Sequence, residues 1–146
     1  MSVEARFDED RRLLHVTVAD TWPTLPEIVE IRSKLILAGC VRPDVVELVD
    51  ARLVTRAIPN ISQMKAIMQA IGKPPLKRAL VVATDVQYAA GRLAELLDPH
   101  GVGVFRDESV ALAWLFENRR HTSATRQAAF AKLGGTSCRE VKLLGN

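Results

Sequence analysis

Across its 146 residues the chain is short of nearly everything that marks a stapled, metal-built or membrane-embedded protein. It has two cysteines, Cys40 and Cys138, far apart and outside any CxxC or Cys/His spacing. That excludes a zinc ribbon or a multi-disulfide framework and is the usage of reduced thiols in a cytoplasmic protein, with one disulfide left open. Apolar runs such as LVVA and LILAGCV stop at core size, well below the ~20 residues that span a bilayer. The first residues, MSVEARFDEDRRLL, are charged and lack the apolar stretch of a signal peptide, so no secretory leader is expected. GxSxG, HExxH and GKS or GKT are all missing, which removes the nucleophile elbow, the zincin helix and the P-loop. Gly101 and Gly103 lead into a strand with no third glycine, so the dinucleotide fingerprint is missing too. There is no internal repeat and no low-complexity tract.

What is present is ordinary globular usage, 48% hydrophobic and 25% charged, enough for one domain with a real core. The net charge of +3 is unevenly spread. Residues 1–118 hold 14 Lys and Arg against 16 Asp and Glu, whereas residues 119–146 hold 6 against one. The basic character belongs to the tail, which argues against a folded body specialised for nucleic acid. The tail carries one aromatic, Phe130, and no arginine-rich tract, so specific nucleic-acid binding is not expected.

The pattern along the chain reads β-β-α-β-α-β-α-β-α. Val3–Phe7 and Leu13–Ala19 flank the acidic turn Asp8-Glu9-Asp10 as a hairpin, with Leu14, Val16 and Val18 alternating against His15 and Thr17. Thr24 with Glu27 three residues on is a capping box for a helix that buries Ile28, Ile31 and Leu35 and stops at Gly39. Val45–Ala51 reads as a strand covered on both sides, followed by a connection and a helix over Ile61–Ile71 capped by Asn60. After the GKPPLK break come a strand at Ala79–Ala83, a helix at Val86–Leu97, a strand at Val102–Phe105 and a helix at Ser109–Glu117. The fold class is α/β: a mixed, mostly parallel sheet with an N-terminal antiparallel hairpin and about four helices. The domain is expected to span 1–118, with 119–146 a basic tail broken at Gly134-Gly135, its first part helical and loosely docked.

The stretches LLHVTVADTWPTLPEIVEIRSKL, VVELVDARLV, KRALVVATDVQYAAGRLAELL and GVGVFRDESVALAWL together resemble the STAS/SpoIIAA-like (STAS/SEC14) group of small bacterial domains over about residues 5–117. The resemblance implies a SpoIIAA-like fold and a cytoplasmic, non-enzymatic domain that acts by binding a regulatory protein or a second copy of itself, as a homodimer. It implies a working surface on the first two helices and the loops after Asp50 and Asp85. The alternative it implies is Sec14-like binding of a small apolar or amphipathic ligand between helices and sheet. No cofactor is expected. In the regulatory members a serine in an Asp-Ser-Ser-Gly turn is phosphorylated; here the corresponding stretch is AIPNISQMK, and Ser62 is the nearest hydroxyl, displaced and without the flanking aspartate and glycine. A phosphate there would meet the free N–H groups of a helix start.

Ligands in open α/β sheets bind beyond the carboxyl ends of the strands, which selects Asp50, Arg52, Thr84, Asp85, Arg106 and Asp107 as a charged rim for a ligand or partner. The plainer role of Asp85 and Asp107 is helix capping, and that of Asp50 is to bond loop backbone and pair with Arg52 or Arg56. Arg92 follows Gly91 inside the third helix and could line a cleft; the glycine itself reads as close packing against a neighbour. His15, His100 and His121 share no ligand spacing, so no metal site is expected. An acid–base site from Asp50, Asp85 and His100 is the third-ranked reading. Val110, Leu112, Trp114, Leu115 and Phe116 make the last helix apolar nearly all round, as a core helix or as an exposed strip for dimerisation or a ligand. Trp22 reads as a staple for the entry of the first helix.

Overall fold

The computed structural model describes residues 1–75, 77–117 and 138–144. Strands β1 (Ser2–Asp8) and β2 (Leu13–Thr21) form the expected hairpin, paired antiparallel from Ser2↔Ala19 to Asp8↔Leu13. Period-two alternation assigns the faces: Val3, Ala5 and Phe7 on β1 and Leu14, Val16 and Val18 on β2 are buried together. Helix α1 (Leu25–Leu37) opens with the Thr24/Glu27 capping box and buries Ile28, Ile31 and Leu35. It ends at Gly39, whose φ of +74° is the left-handed conformation that glycine adopts without a Cβ clash.

Strand β3 (Val46–Arg56) is longer than the apolar run that announces it. The sequence places its end at Ala51, but β2 supplies pairing partners as far as Thr21↔Arg56. Between Thr17 and Ala19 of β2 the partner strand advances from Asp50 to Leu53, and between Asp20 and Thr21 from Val54 to Arg56. Each shift is one extra residue in β3, a bulge that twists the strand and frees backbone groups. Asp50 therefore lies at a bulge inside a strand and not at a strand terminus.

Helix α2 (Ile61–Ile71) carries the Asn60 cap, with Gln63 completing the box. Strand β4 (Lys77–Val81) and helix α3 (Asp85–Leu97) follow. The cap of α3 is Thr84, in a box with Gln87, so Asp85 is the first helical residue and not the cap expected of it. A threonine with glutamine three residues on satisfies two N–H groups reciprocally, and the aspartate still sits at the positive end of the helix dipole. Strand β5 (Val102–Phe105) leads to helix α4 (Glu108–Phe116), which Asp107 caps as expected. A further strand, β6 (Cys138–Leu144), pairs antiparallel with β1. The sequence reading ended the domain at 118; here Val141 and Leu143 pack on the main core and the strand covers an edge that β1 would otherwise expose. The helix expected early in the tail lies outside the described residues.

The sheet order is β5-β4-β3-β2-β1-β6, with β2 to β5 mutually parallel. Helices α1, α2 and α3 pack side by side over one face, where Val49 and Ala51 join Ile31 and Leu35 of α1. Helix α4 lies on the other face, burying Ala111 and Leu115 against Val46, Leu48, Ala79 and Val81. It is a core helix as read, with Trp114 tilted against Phe105 at 5.4 Å between ring centres. Among the described residues no helix is long and apolar enough to cross a membrane.

Candidate functional site

The charged rim divides into closed pairs. Arg52 forks onto Asp50, with Nε to Oδ1 at 2.9 Å and Nη2 to Oδ2 at 2.7 Å, and reaches Glu108 of α4 at 3.4 Å. The Arg52 backbone N–H, released by the bulge, also donates to Asp50 at 3.1 Å. The Arg52 bond, which outweighs the opposing effect of burial, holds the Asp50 carboxyl below the usual range, and the same bond raises the guanidinium. Arg56 pairs with Asp20 and not with Asp50. Asp85 accepts from Arg106, which also lies over the Tyr88 ring at 5.0 Å. Arg92 is bound to Glu95 one turn along α3 at 2.6 Å. Asp107 accepts from the Ser109 hydroxyl and from the Ser109 and Val110 N–H groups, which lower its pKa. Each rim carboxylate thus already holds a hydrogen-bonding partner.

The residues named for acid–base work do not converge. Asp50 pairs with Val81 near the carboxyl end of β4, whereas His100 precedes β5, whose first residue pairs with Arg78. His100 is exposed at the opposite end of the sheet from Asp50 and Asp85. Ser62 is exposed in the first turn of α2. Among the described residues no cluster of three or more His, Cys, Asp or Glu side chains could hold a metal ion.

A different site lies between the helices and the sheet. Met64, Ile67 and Met68 of α2, Ala90 and Gly91 of α3, and Val49 and Leu80 of the sheet line an apolar cavity of about 90 Å³. A second cavity of about 80 Å³ adjoins it under α1, sharing Trp22, Glu47, Val49, Ile67 and Ile71. Gly91 makes room, because α3 rests directly on Val104 and Leu80 there. Gln87 closes one end: it is buried, its Oε1 accepts from Ala83 and Thr84 N–H, and its Nε2 donates to the Val54 carbonyl at 2.6 Å. That carbonyl belongs to the bulged part of β3.

The other end is ionic. Glu47 of β3, Arg78 of β4 and Arg32 of α1 are all buried. Arg78 Nε donates to Glu47 at 3.1 Å, and Arg32 lies 3.7 Å from the same oxygen. Arg78 also donates to the Gly72 and Pro74 carbonyls at 3.1 Å, and Arg32 to the Pro74 carbonyl. Burial lowers the Arg32 pKa, and the Glu47 charge works against that shift. One carboxylate against two guanidiniums leaves one uncompensated positive charge, which the loop carbonyls solvate. Trp22 packs half-buried against the main core and borders both cavities; its indole Nε1 is buried with no hydrogen-bond partner among the described residues. A buried, unpaired N–H costs on the order of 1–3 kcal/mol.

Sequence reasoning did not find Arg32, Glu47, Arg78 or Gln87. The signal was there for Glu47: a carboxylate with Val45, Val46, Leu48 and Val49 around it must be buried and paired. Arg78, one residue before the apolar run ALVVA, gives a weaker version of the same sign.

No known family model and no curated protein matches this sequence. Among solved structures it is similar to an uncharacterized protein of the DUF3478 family with a SpoIIAA-like fold from Shewanella loihica PV-4. The identity is 21%, the match covers 79% of this chain and 95% of that one, and the TM-score is 0.56. The fold is therefore SpoIIAA-like, as the sequence resemblance implied.

Proposed function

We propose that this domain binds a small apolar or amphipathic molecule in the double cavity beneath α1, α2 and α3. The observation that carries the reading is a pair of adjoining apolar cavities whose walls share Trp22, Val49, Ile67 and Ile71. Interiors pack to crystal-like density with few voids larger than a water. Two adjoining voids of about 90 and 80 Å³ are the scale of a cavity that takes up a benzene-sized guest. The methionines Met64 and Met68 give the wall the adaptable surface that suits a guest of variable shape. The test is calorimetric titration of the full chain with octan-1-ol, beside an Ala90→Leu variant that fills the cavity. Saturable one-to-one uptake by the parent, abolished in a variant whose melting temperature is unchanged or higher, is the expected result. Absence of uptake by the parent would overturn the reading.

A second reading, a regulatory domain that binds a protein or its own copy, has its own support on α1. Leu25, Val29 and Ile36 are 41%, 48% and 55% exposed. At 3.6 residues per turn they fall within about 40° of one another around the helix. Sedimentation equilibrium of the parent and an Ile36→Lys variant separates this reading from the first: a monomer at all concentrations would remove self-association.

A further inference from the structure

The groove outside the cavity wall carries an excess of positive charge. Arg78 borders the apolar cavity on one side and, on the other, an open groove that contains Lys65, Gly72, Lys73 and Asp98. Met68 also lines both, so cavity and groove share a wall at the last turn of α2. Around this junction four cations, Arg32, Arg78, Lys65 and Lys73, face two carboxylates, Glu47 and Asp98. Glu47 is engaged by both arginines, and Asp98 accepts from the Gly101 N–H at 3.1 Å. Among the described residues neither Lys65 nor Lys73 has a carboxylate partner, and both are exposed. An apolar chamber flanked by an unmatched cationic groove is complementary to one kind of occupant.

We propose that the guest is an amphiphile with a single anionic head: its chain lies beneath α2 and α3, and its head passes the Met68–Arg78 wall into the adjoining groove beside Lys65 and Lys73. This rests on the cavity reading above and adds the sign of the head. A neutral guest leaves the lysines unmatched, and a cationic one is repelled by them. The carboxylate or phosphate monoester oxygens accept from lysine ammonium groups already in water, so the head avoids the desolvation that a fully buried ion pair requires. The chain displaces nothing polar from the Met64, Ile67 and Leu80 surface.

The experiment compares octanoate, octyl phosphate, octan-1-ol, octyltrimethylammonium and acetate on the full chain by calorimetry, at low salt and at 0.5 M NaCl. Octanoate or octyl phosphate is expected to bind roughly tenfold tighter than octan-1-ol at low salt, with the margin shrinking at high salt. Acetate and the ammonium compound are expected not to bind. A Lys65→Glu/Lys73→Glu variant, altered only at exposed positions, is expected to lose that margin while keeping octan-1-ol affinity. Equal affinities for alcohol and anions, or a margin that survives the double variant, would overturn the anionic head and leave the cavity reading standing. If no eight-carbon probe binds, both fall. Preference between octanoate and octyl phosphate then assigns the head chemistry.

Discussion

Replacing Gly91 by alanine sets two known effects against each other at one atom. In an isolated helix the change is favourable by about 1 kcal/mol, because glycine is the costlier residue there. In this protein a Cβ at Gly91 would stand 2.5 Å from Val104 Cγ2 and 3.0 Å from Val104 Cβ. Val104 is β-branched, 7% exposed and set in β5, so its χ1 is restricted. Overpacking of this kind costs about 1–3 kcal/mol, and the upper part of that range applies to a stiff neighbour. The net expectation is a loss of about 1–2 kcal/mol, or roughly 3–6 °C in melting temperature for a domain of this size. Urea denaturation of the parent, Gly91→Ala, Val104→Ala and the double variant measures it. Val104→Ala alone should cost about 1.6 kcal/mol for two buried methyl groups. The double variant should be more stable than the sum of the singles by about 1 kcal/mol, since each change makes room for the other. A Gly91→Ala protein stabilised by about 1 kcal/mol with no coupling to Val104 would refute the close approach of α3 to β5, and with it the shape of the cavity that Gly91 lines.

Glu47→Gln is expected to destabilise the fold by about 3–5 kcal/mol in urea, because it leaves Arg32 and Arg78 buried with no carboxylate; a loss below about 1 kcal/mol would show that the loop carbonyls suffice. Asp50→Asn should cost about 1 kcal/mol at pH 7. Since the Arg52 bond depresses the folded Asp50 pKa, its stabilisation is present above the ordinary carboxyl value near 3.9 and disappears as pH falls through the folded one. The deficit of the Asn variant should therefore shrink progressively as the pH falls below the ordinary carboxyl range, and a deficit independent of pH would assign the loss to shape and not to charge. Cys40 is 0% exposed and burial raises its thiol pKa. Peptide-resolved alkylation at pH 8 should leave Cys40 unmodified until urea unfolds the chain, and prompt labelling in buffer would contradict that burial.

Alternation and capping chemistry are local, and so the sequence was enough to place the hairpin, α1, α2, β5 and α4. Thr24 with Glu27, Asn60 before Ile61, and Asp107 before Glu108 each act within one helical turn, and each is found doing so. Gly91 announced close packing because glycine inside a helix costs stability unless a neighbour occupies the space of its missing Cβ, and Val104 does so. Asp50 with Arg52 was legible because the two lie two residues apart in one chain segment.

What depended on distant segments was not legible. The length of β3 and its bulges follow from the register with β2, thirty-odd residues away, and that register moved Asp50 from a strand end to a strand interior. Strand β6 became part of the sheet only because β1 left an edge that Val141 and Leu143 could close. The cavity, and the meeting of Arg32, Glu47 and Arg78 at its end, require three elements that share no local signal. Propensity and caps are decided by neighbours in sequence; enclosed volume and buried charge are decided by neighbours in space, and only the folded chain supplies those.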